Sequence, residues 1–148
     1  MSGIDIVPVS IKNVGLLETI NKNVLDVKYN KKFYREAAEN CESGYIAYYQ
    51  GIPVGATVLS FDQKGNVYVR TLAVLKAYRK KNVGKKLMQV GETIARERGV
   101  ALTAHVWSEN AIALKFYTQL GFETEKLLEK YYHALDPPSA WLISKRAW

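Results

Sequence analysis

The chain has 148 residues, 48% hydrophobic and 24% charged, with a formal net charge of +7. That length fits one domain with a core of its own, and no apolar run approaches the roughly 20 residues a bilayer-crossing helix needs, so a soluble globular class is expected and a membrane one excluded. The basic excess favours acidic partners, among them nucleic acid, a ribosome, an anionic membrane surface or a phosphorylated small molecule, beside the plainer reading of a merely basic surface; the single cysteine, Cys41, excludes an intrachain disulfide, and no metal site is expected.

In chain order, "IDIVPV" (4–9) reads as a short strand. Ile11, Val14, Leu17, Ile20 and Val24 recur at near-helical spacing over 10–25. "NKKFYREAAEN" (30–40) reads as a short helix capped by Asn30. Between 44 and 75, alternating runs broken by "QGIP" and "DQKGN" predict an antiparallel meander with strands near 44–49, 53–62 and 66–75. The period then changes: Val83, Leu87, Val90 and Ile94 lie on one face of a helix that Gly99 closes. A strand is expected over 100–107 and a helix over 108–121, with Ser108 or Asn110 near its cap and Gly121 at its end. The tail predicts a strand near 122–132, a break at "DPP" (136–138) and a last edge strand in "SAWLI" (139–143). The sum is an α/β fold.

"AYRKKNVGKKL" (77–87) sets Arg79, Lys80, Lys81, Lys85 and Lys86 around Gly84, between a strand and a helix. A helix N-terminus presents unpaired N–H groups and the positive end of the helix dipole, so this layout suits an anion, and a pyrophosphate better than one phosphate. A solvated basic turn is the alternative. The P-loop pattern and the G-x-G-x-x-G pattern are both absent.

"TLAVLKAYRKKNVGKKLM" resembles the acetyl-CoA-binding segment of the GNAT acetyltransferases, a strand followed by R/Q-x-x-G-x-G/A and a helix. Here that pattern reads Arg79-Lys80-Lys81-Asn82-Val83-Gly84, with Asn82 in place of the first glycine. Asparagine tolerates left-handed backbone better than other non-glycine residues. "SENAIALKFYTQLGFE" resembles a second family signature, N-x-x-A-x-x-F/L-Y-x-x-x-G-F, at Asn110, Ala113, Phe116, Tyr117, Gly121 and Phe122. More narrowly, "VKYNKKFYREA", "VYVRTL", "HVWSEN" and "KYYHALDP" resemble the San-type N-alpha-acetyltransferases, the catalytic subunits of NatE, which act on protein N-termini, notably those beginning with Met.

The resemblance implies the GNAT fold, a mixed and mostly antiparallel central sheet flanked by helices, with acetyl-CoA as cofactor. It implies Tyr68 and His105 as a base acting through an ordered water on the incoming α-amine. Alternation sets Tyr68 with Arg70, and His105 with Thr103 and Trp107, on the less aliphatic faces of their strands. It implies backbone pairing of the pantetheine arm along Leu72, Ala73 and Val74, with an N–H near Leu72 for the developing oxyanion. It implies that Arg79, Lys80, Lys81, Asn82, Val83, Gly84 and Lys85 hold the phosphates, that Asn110 stands near the cofactor, and that Tyr117 lies near the sulfur, where it protonates the thiolate. It implies a peptide site walled by Leu25, Asp26, Val27, Tyr29, Arg70, Tyr131 and Tyr132. The peptide site departs from the family in two places: Leu25-Asp26-Val27 stands where it carries Phe-Pro-Val, and Arg70 where it carries methionine. An unpaired charge facing a buried methionine costs several kcal/mol. Both are therefore expected to be exposed or paired, which gives a Met-first substrate of relaxed selectivity.

Two rivals stand beside this reading. One is a GNAT enzyme acetylating a small amine or a lysine side chain. The other is a basic, non-catalytic module on RNA or the ribosome, which leaves the Asn110, Tyr117, Gly121-Phe122 pattern unexplained and shows no nucleic-acid motif. The expected partners are peptide N-termini, a larger acetyltransferase complex and the ribosome, without direct nucleic-acid or membrane binding. No charged-then-apolar leader opens the sequence, so the expected compartment is the cytoplasm, with the nucleus as the alternative.

Overall fold

The computed structural model describes residues 3–40 and 42–146, which leaves Cys41 outside the described residues. Their elements run β1 (Ile4–Pro8), α1 (Val14–Val24), α2 (Lys31–Glu39), β2 (Gly44–Tyr49), β3 (Ile52–Phe61), β4 (Val67–Val74), a 3-10 turn (Lys76–Tyr78), α3 (Val83–Arg98), β5 (Leu102–Trp107), α4 (Ala111–Gln119), β6 (Glu123–Leu128) and β7 (Ala140–Lys145). The strands form one sheet in the order β1-β2-β3-β4-β5-β7-β6. β4 and β5 run parallel, whereas β1–β2, β2–β3, β5–β7 and β6–β7 are antiparallel. The chain divides into two compact units, Met1–Ser60 with Arg70–Thr93, and Phe61–Val69 with Ile94–Trp148.

In the first unit, α1 begins four residues later than the periodicity suggests. Ser10 to Asn13 are spent on a turn in which Ser10 N–H donates to Asn13 Oδ1 at 2.7 Å and Val14 N–H to the Ser10 carbonyl at 3.0 Å. Asn30 caps α2 as expected, its Oδ1 accepting from Phe33 N–H at 3.0 Å; such a cap stabilises a helix by about 1 kcal/mol. Leu17, Ile20, Phe33 and Ala37 of the two helices share a core with Ile46, Ala56 and Val58 of β2 and β3. Val83 and Leu87 of α3 pack on Ala47 and Val54.

Gly55 makes that last contact possible. A Cβ there would stand 2.9 Å from Val83 Cγ1, 3.3 Å from Leu87 Cδ1 and 3.0 Å from the Ala73 carbonyl oxygen. The carbonyl belongs to the backbone of β4 and has little room to step aside. Gly55→Ala is therefore expected to cost about 1–3 kcal/mol through overpacking, read as a lower urea midpoint at unchanged m-value.

In the second unit, β4 and β5 are in register at Val67↔Leu102 and Tyr68↔Thr103. β7 lies between β5 and β6, paired from Leu102↔Lys145 to Trp107↔Ala140 on one side and from Glu123↔Ser144 to Leu128↔Ala140 on the other. This corrects the expected edge strand. Ala140, Ile143 and Ser144 are buried, and a strand carrying them has both edges hydrogen-bonded; the charged "ETEK" of β6 takes the exposed edge, where charge discourages further pairing. The strand expected over 122–132 stops at Leu128, and 129–139 is loop. Gly99 (φ +66°) and Gly121 (φ +94°) end α3 and α4 in left-handed backbone.

Candidate active site

In the second unit, alternation along β4 and β5 leaves Tyr68 and His105 half-buried among buried neighbours. The Tyr68 hydroxyl lies 2.7 Å from His105 Nδ1. Tyr131 completes the cluster: its ring stacks on the imidazole at 4.2 Å between centroids and 21° between planes, and its hydroxyl is 3.3 Å from that of Tyr68. Tyr132 meets Tyr131 edge-on at 4.9 Å.

The 129–139 loop that carries these two tyrosines is tied down on both flanks. Tyr131 and Tyr132 N–H both donate to the Pro138 carbonyl, at 3.0 and 2.8 Å. Trp107 Nε1–H donates to the Pro137 carbonyl at 2.7 Å, and the hydroxyls of Ser108 and Ser139 lie 2.6 Å apart. A pocket of about 540 Å³ opens beside the cluster, lined among others by Tyr68, Thr103, His105, Glu125, Tyr131 and Arg146. Glu125 Oε1 accepts from Ser144 Oγ at 2.6 Å and from Arg146 Nη2 at 2.7 Å, which holds this wall charged but neutralised.

Burial holds the His105 imidazole below its ordinary value of 6.5. The ring is therefore neutral at pH 7, and when the Tyr68 hydroxyl donates to it Nδ1 is the bare nitrogen. The unfolded chain then takes up a proton near pH 6.5 while the folded one does not. The stability contributed by this group is complete above 6.5 and is lost as pH falls toward the folded pKa. An NMR titration is expected to place the His105 midpoint below 6.5, and Tyr131→Ala, which uncovers one ring face, to move it upward.

Tyr117 of α4 is buried between Phe116 and Phe122, each at 5.1 Å. Burial first, and the neighbouring Tyr132 hydroxyl second, push its phenol well above the ordinary value, so it stays protonated. Asn110 acts as the N-cap of α4, its Oδ1 accepting from Ala113 N–H at 3.1 Å.

In the first unit, the basic stretch turns through left-handed backbone twice, at Lys80 (φ +64°) and Asn82 (φ +68°), before α3 begins at Val83. Asn82 thus takes the conformation for which glycine is favoured, and its carbonyl accepts the Lys86 N–H at 3.0 Å, an early bond of α3. Gly84 sits in the first turn, whose N–H groups have no intrahelical acceptor. Arg79 Nε–H donates to the Val74 carbonyl at 3.2 Å, which fixes the root of its guanidinium, while Lys81 Nζ lies 5.6 Å above the Tyr49 ring. Leu72 and Val74 are half-buried on one face of β4, and Ala73 is buried on the other.

Of the residues expected to bind peptide, Leu25 and Tyr29 pack against the helical core, while Asp26 and Val27 are exposed. Tyr29 stacks on Phe33 at 4.2 Å, and the exposed Arg70 sets its guanidinium carbon 4.6 Å over the same ring. Arg70 engages Phe33 rather than Asp26, so both charges are exposed and unpaired with each other. Phe33 and Glu125 are site residues that the sequence pattern does not announce. Phe33 reads as plain core in a helix, and Glu125 gains its partners from a register shift between Thr124 and Lys126 that has no sequence signal.

The double left-handed turn into a helix start, on this sheet topology, is the architecture of an acyl-CoA-using N-acetyltransferase. Residues 16–122 match the Acetyltransferase (GNAT) family, and the chain belongs to it. It is 32% identical over 146 residues to N-alpha-acetyltransferase 50 of Danio rerio, with 95% of this chain and 85% of the relative covered. It is also 32% identical over 149 residues to the probable N-acetyltransferase san of Drosophila melanogaster, covering 97% and 81%. Arabidopsis thaliana Naa50, solved in complex with the bisubstrate analogue CoA-Ac-MVNAL, superimposes with a TM-score of 0.85 at 31% identity over 97% of this chain and 98% of that one.

Proposed function

We propose that this protein acetylates the free α-amino group of protein N-termini, Met-first ones included, using acetyl-CoA. The observation that carries the reading is the 2.7 Å contact between the Tyr68 hydroxyl and a neutral His105, beside an open pocket. A likeness over almost the whole chain to N-terminal acetyltransferases supports it.

Acetyl-CoA supplies the activated acetyl thioester, and the chain's residues fit it. The Lys80–Asn82 turn and the α3 start offer N–H groups to a pyrophosphate, with Arg79, Lys80, Lys81 and Lys85 as its charge. Leu72 to Val74 offer strand backbone to the pantetheine arm. An α-amine has a pKa near ~8, so a fair fraction arrives neutral and the rest gives up one proton to a base. Through a water, Tyr68 Oη takes up that proton as its own passes to His105 Nδ1, which charges the imidazole. An N–H near Leu72 would stabilise the negative charge on the acetyl carbonyl oxygen once acetyl-CoA is bound. Tyr117, kept protonated by burial, would donate a hydrogen bond to the departing sulfur when acetyl-CoA is bound. The basic surface suits work in the cytoplasm beside the ribosome, within a larger acetyltransferase complex.

The test is incubation with acetyl-CoA and a panel of N-terminal peptides, α-blocked lysine peptides and polyamines, reading CoA release and the acetylated product. Acetylation at α-amines is expected. Turnover confined to polyamines or lysine side chains would replace this reading with the small-amine one, and failure to bind acetyl-CoA would revive the non-catalytic module.

A further inference from the structure

Arg70 is a cationic site residue whose chemistry the proposed reaction does not use. It stands on β4, exposed, two positions after Tyr68 on the same strand face. Its guanidinium lies 4.6 Å over Phe33, a ring 4% exposed that is held in turn by Tyr29 at 4.2 Å and by Tyr34 edge-on at 5.1 Å. No carboxylate answers it among the described residues. A guanidinium laid on an aromatic face keeps its N–H donors around its rim, and that fork matches a carboxylate bidentately. Contact with the ring restrains the guanidinium in advance, which lowers the entropy lost on binding.

We propose that Arg70 is a specificity residue that selects peptides with an acidic side chain at their first or second position. The inference rests on the N-terminal reading above and names the substrate class within it. Tyr29 anchors the α1–α2 loop to the same Phe33 ring, so the loop and the arginine share one support. Charge in that loop does not oppose the assignment. Asp26 is exposed and is offset by the exposed Lys28 of the same loop, and the exposed Lys31 opens α2 directly after it, while Lys32 leans on Glu36 at 3.9 Å. An arginine kept for packing alone has no such preference, because Phe33 would be covered as well by methionine.

The experiment measures kcat/KM on matched peptides that differ at one position: Met-Asp against Met-Asn, Met-Glu against Met-Gln, and Asp-first against Asn-first. The two positional sets tell which side chain is read. Wild type is expected to favour the acid about tenfold in one set, with the ratio shrinking as salt rises. Arg70→Met and Arg70→Gln are both expected to bring that ratio to about one. A wild-type ratio near one in both sets overturns the inference, as does a ratio that survives both substitutions. If peptides are acetylated without acid preference, only this inference fails. If acetyl-CoA binds and no α-amine is acetylated, the N-terminal reading fails and takes this one with it.

Discussion

His105→Ala lowers kcat at saturating peptide by roughly ten- to a thousandfold, the range lost with a general base, while acetyl-CoA binding is kept. Tyr68→Phe is expected to fall in the same range. The reason is the 2.7 Å contact between the two groups. Tyr68 Oη cannot accept the amine's proton unless its own has somewhere to go, and at neutral pH the half-buried, neutral imidazole is the acceptor. Removing either partner breaks one relay, so the double variant should lose little more than the worse single one. The loss should also be smaller at high pH, where more of the amine is neutral before it arrives. Stopped-flow or steady-state CoA release across pH 6.5 to about 9, bracketing the α-amine near ~8, reads both effects. An unchanged rate at saturating peptide in His105→Ala would remove the imidazole from the mechanism.

Much of this arrangement is legible in the sequence. The strand-to-helix change of period places α3, and the alternation of Val67 and Val69 against Tyr68 and Arg70 gives the faces of β4 that burial repeats. Asn82 was readable as a left-handed position because few other side chains tolerate one, and it adopts φ +68°. Lys80 was not readable. Nothing in a lysine announces φ +64°, and only the tight passage into α3 imposes it. The placing of β7 was missed for a related reason. Strand order depends on which edge a segment finds, and "SAWLI" fits an edge or an interior position until β6 pairs with it. Tyr131 was expected at the peptide, and its stacking on His105 depends on a loop closed by the Pro137 and Pro138 carbonyls, partners as much as 30 residues away from Trp107. Local pattern reports period and conformation, whereas contacts of that separation are decided by packing.

The second large effect concerns the charge on the cofactor loop. CoA carries about four negative charges at neutral pH, on a pyrophosphate and a 3′-phosphate. Each charge-assisted bond to a phosphate contributes about 1.5–3 kcal/mol. Arg79 is held at its root by the Val74 carbonyl, and its terminal nitrogens extend beyond that bond. Lys80 is exposed on the turn, and Lys81 reaches its place over Tyr49 on a flexible stem. Acetyl-CoA affinity is therefore expected to fall as salt rises. Replacing Arg79, Lys80 and Lys81 together with glutamine should raise the acetyl-CoA KM at least a hundredfold, the combined loss of about two such bonds, with little change in kcat at saturation. The same substitutions should leave the KM for acetylated pantetheine, which has no phosphates, almost where it was. Asn82→Gly separates conformation from charge. It keeps the left-handed turn and every cation, so affinity should hold or tighten, whereas Asn82→Val strains φ +68° and should weaken binding without altering charge. Equal KM values for acetyl-CoA and acetylated pantetheine in the wild type would show that the phosphates are not held here at all.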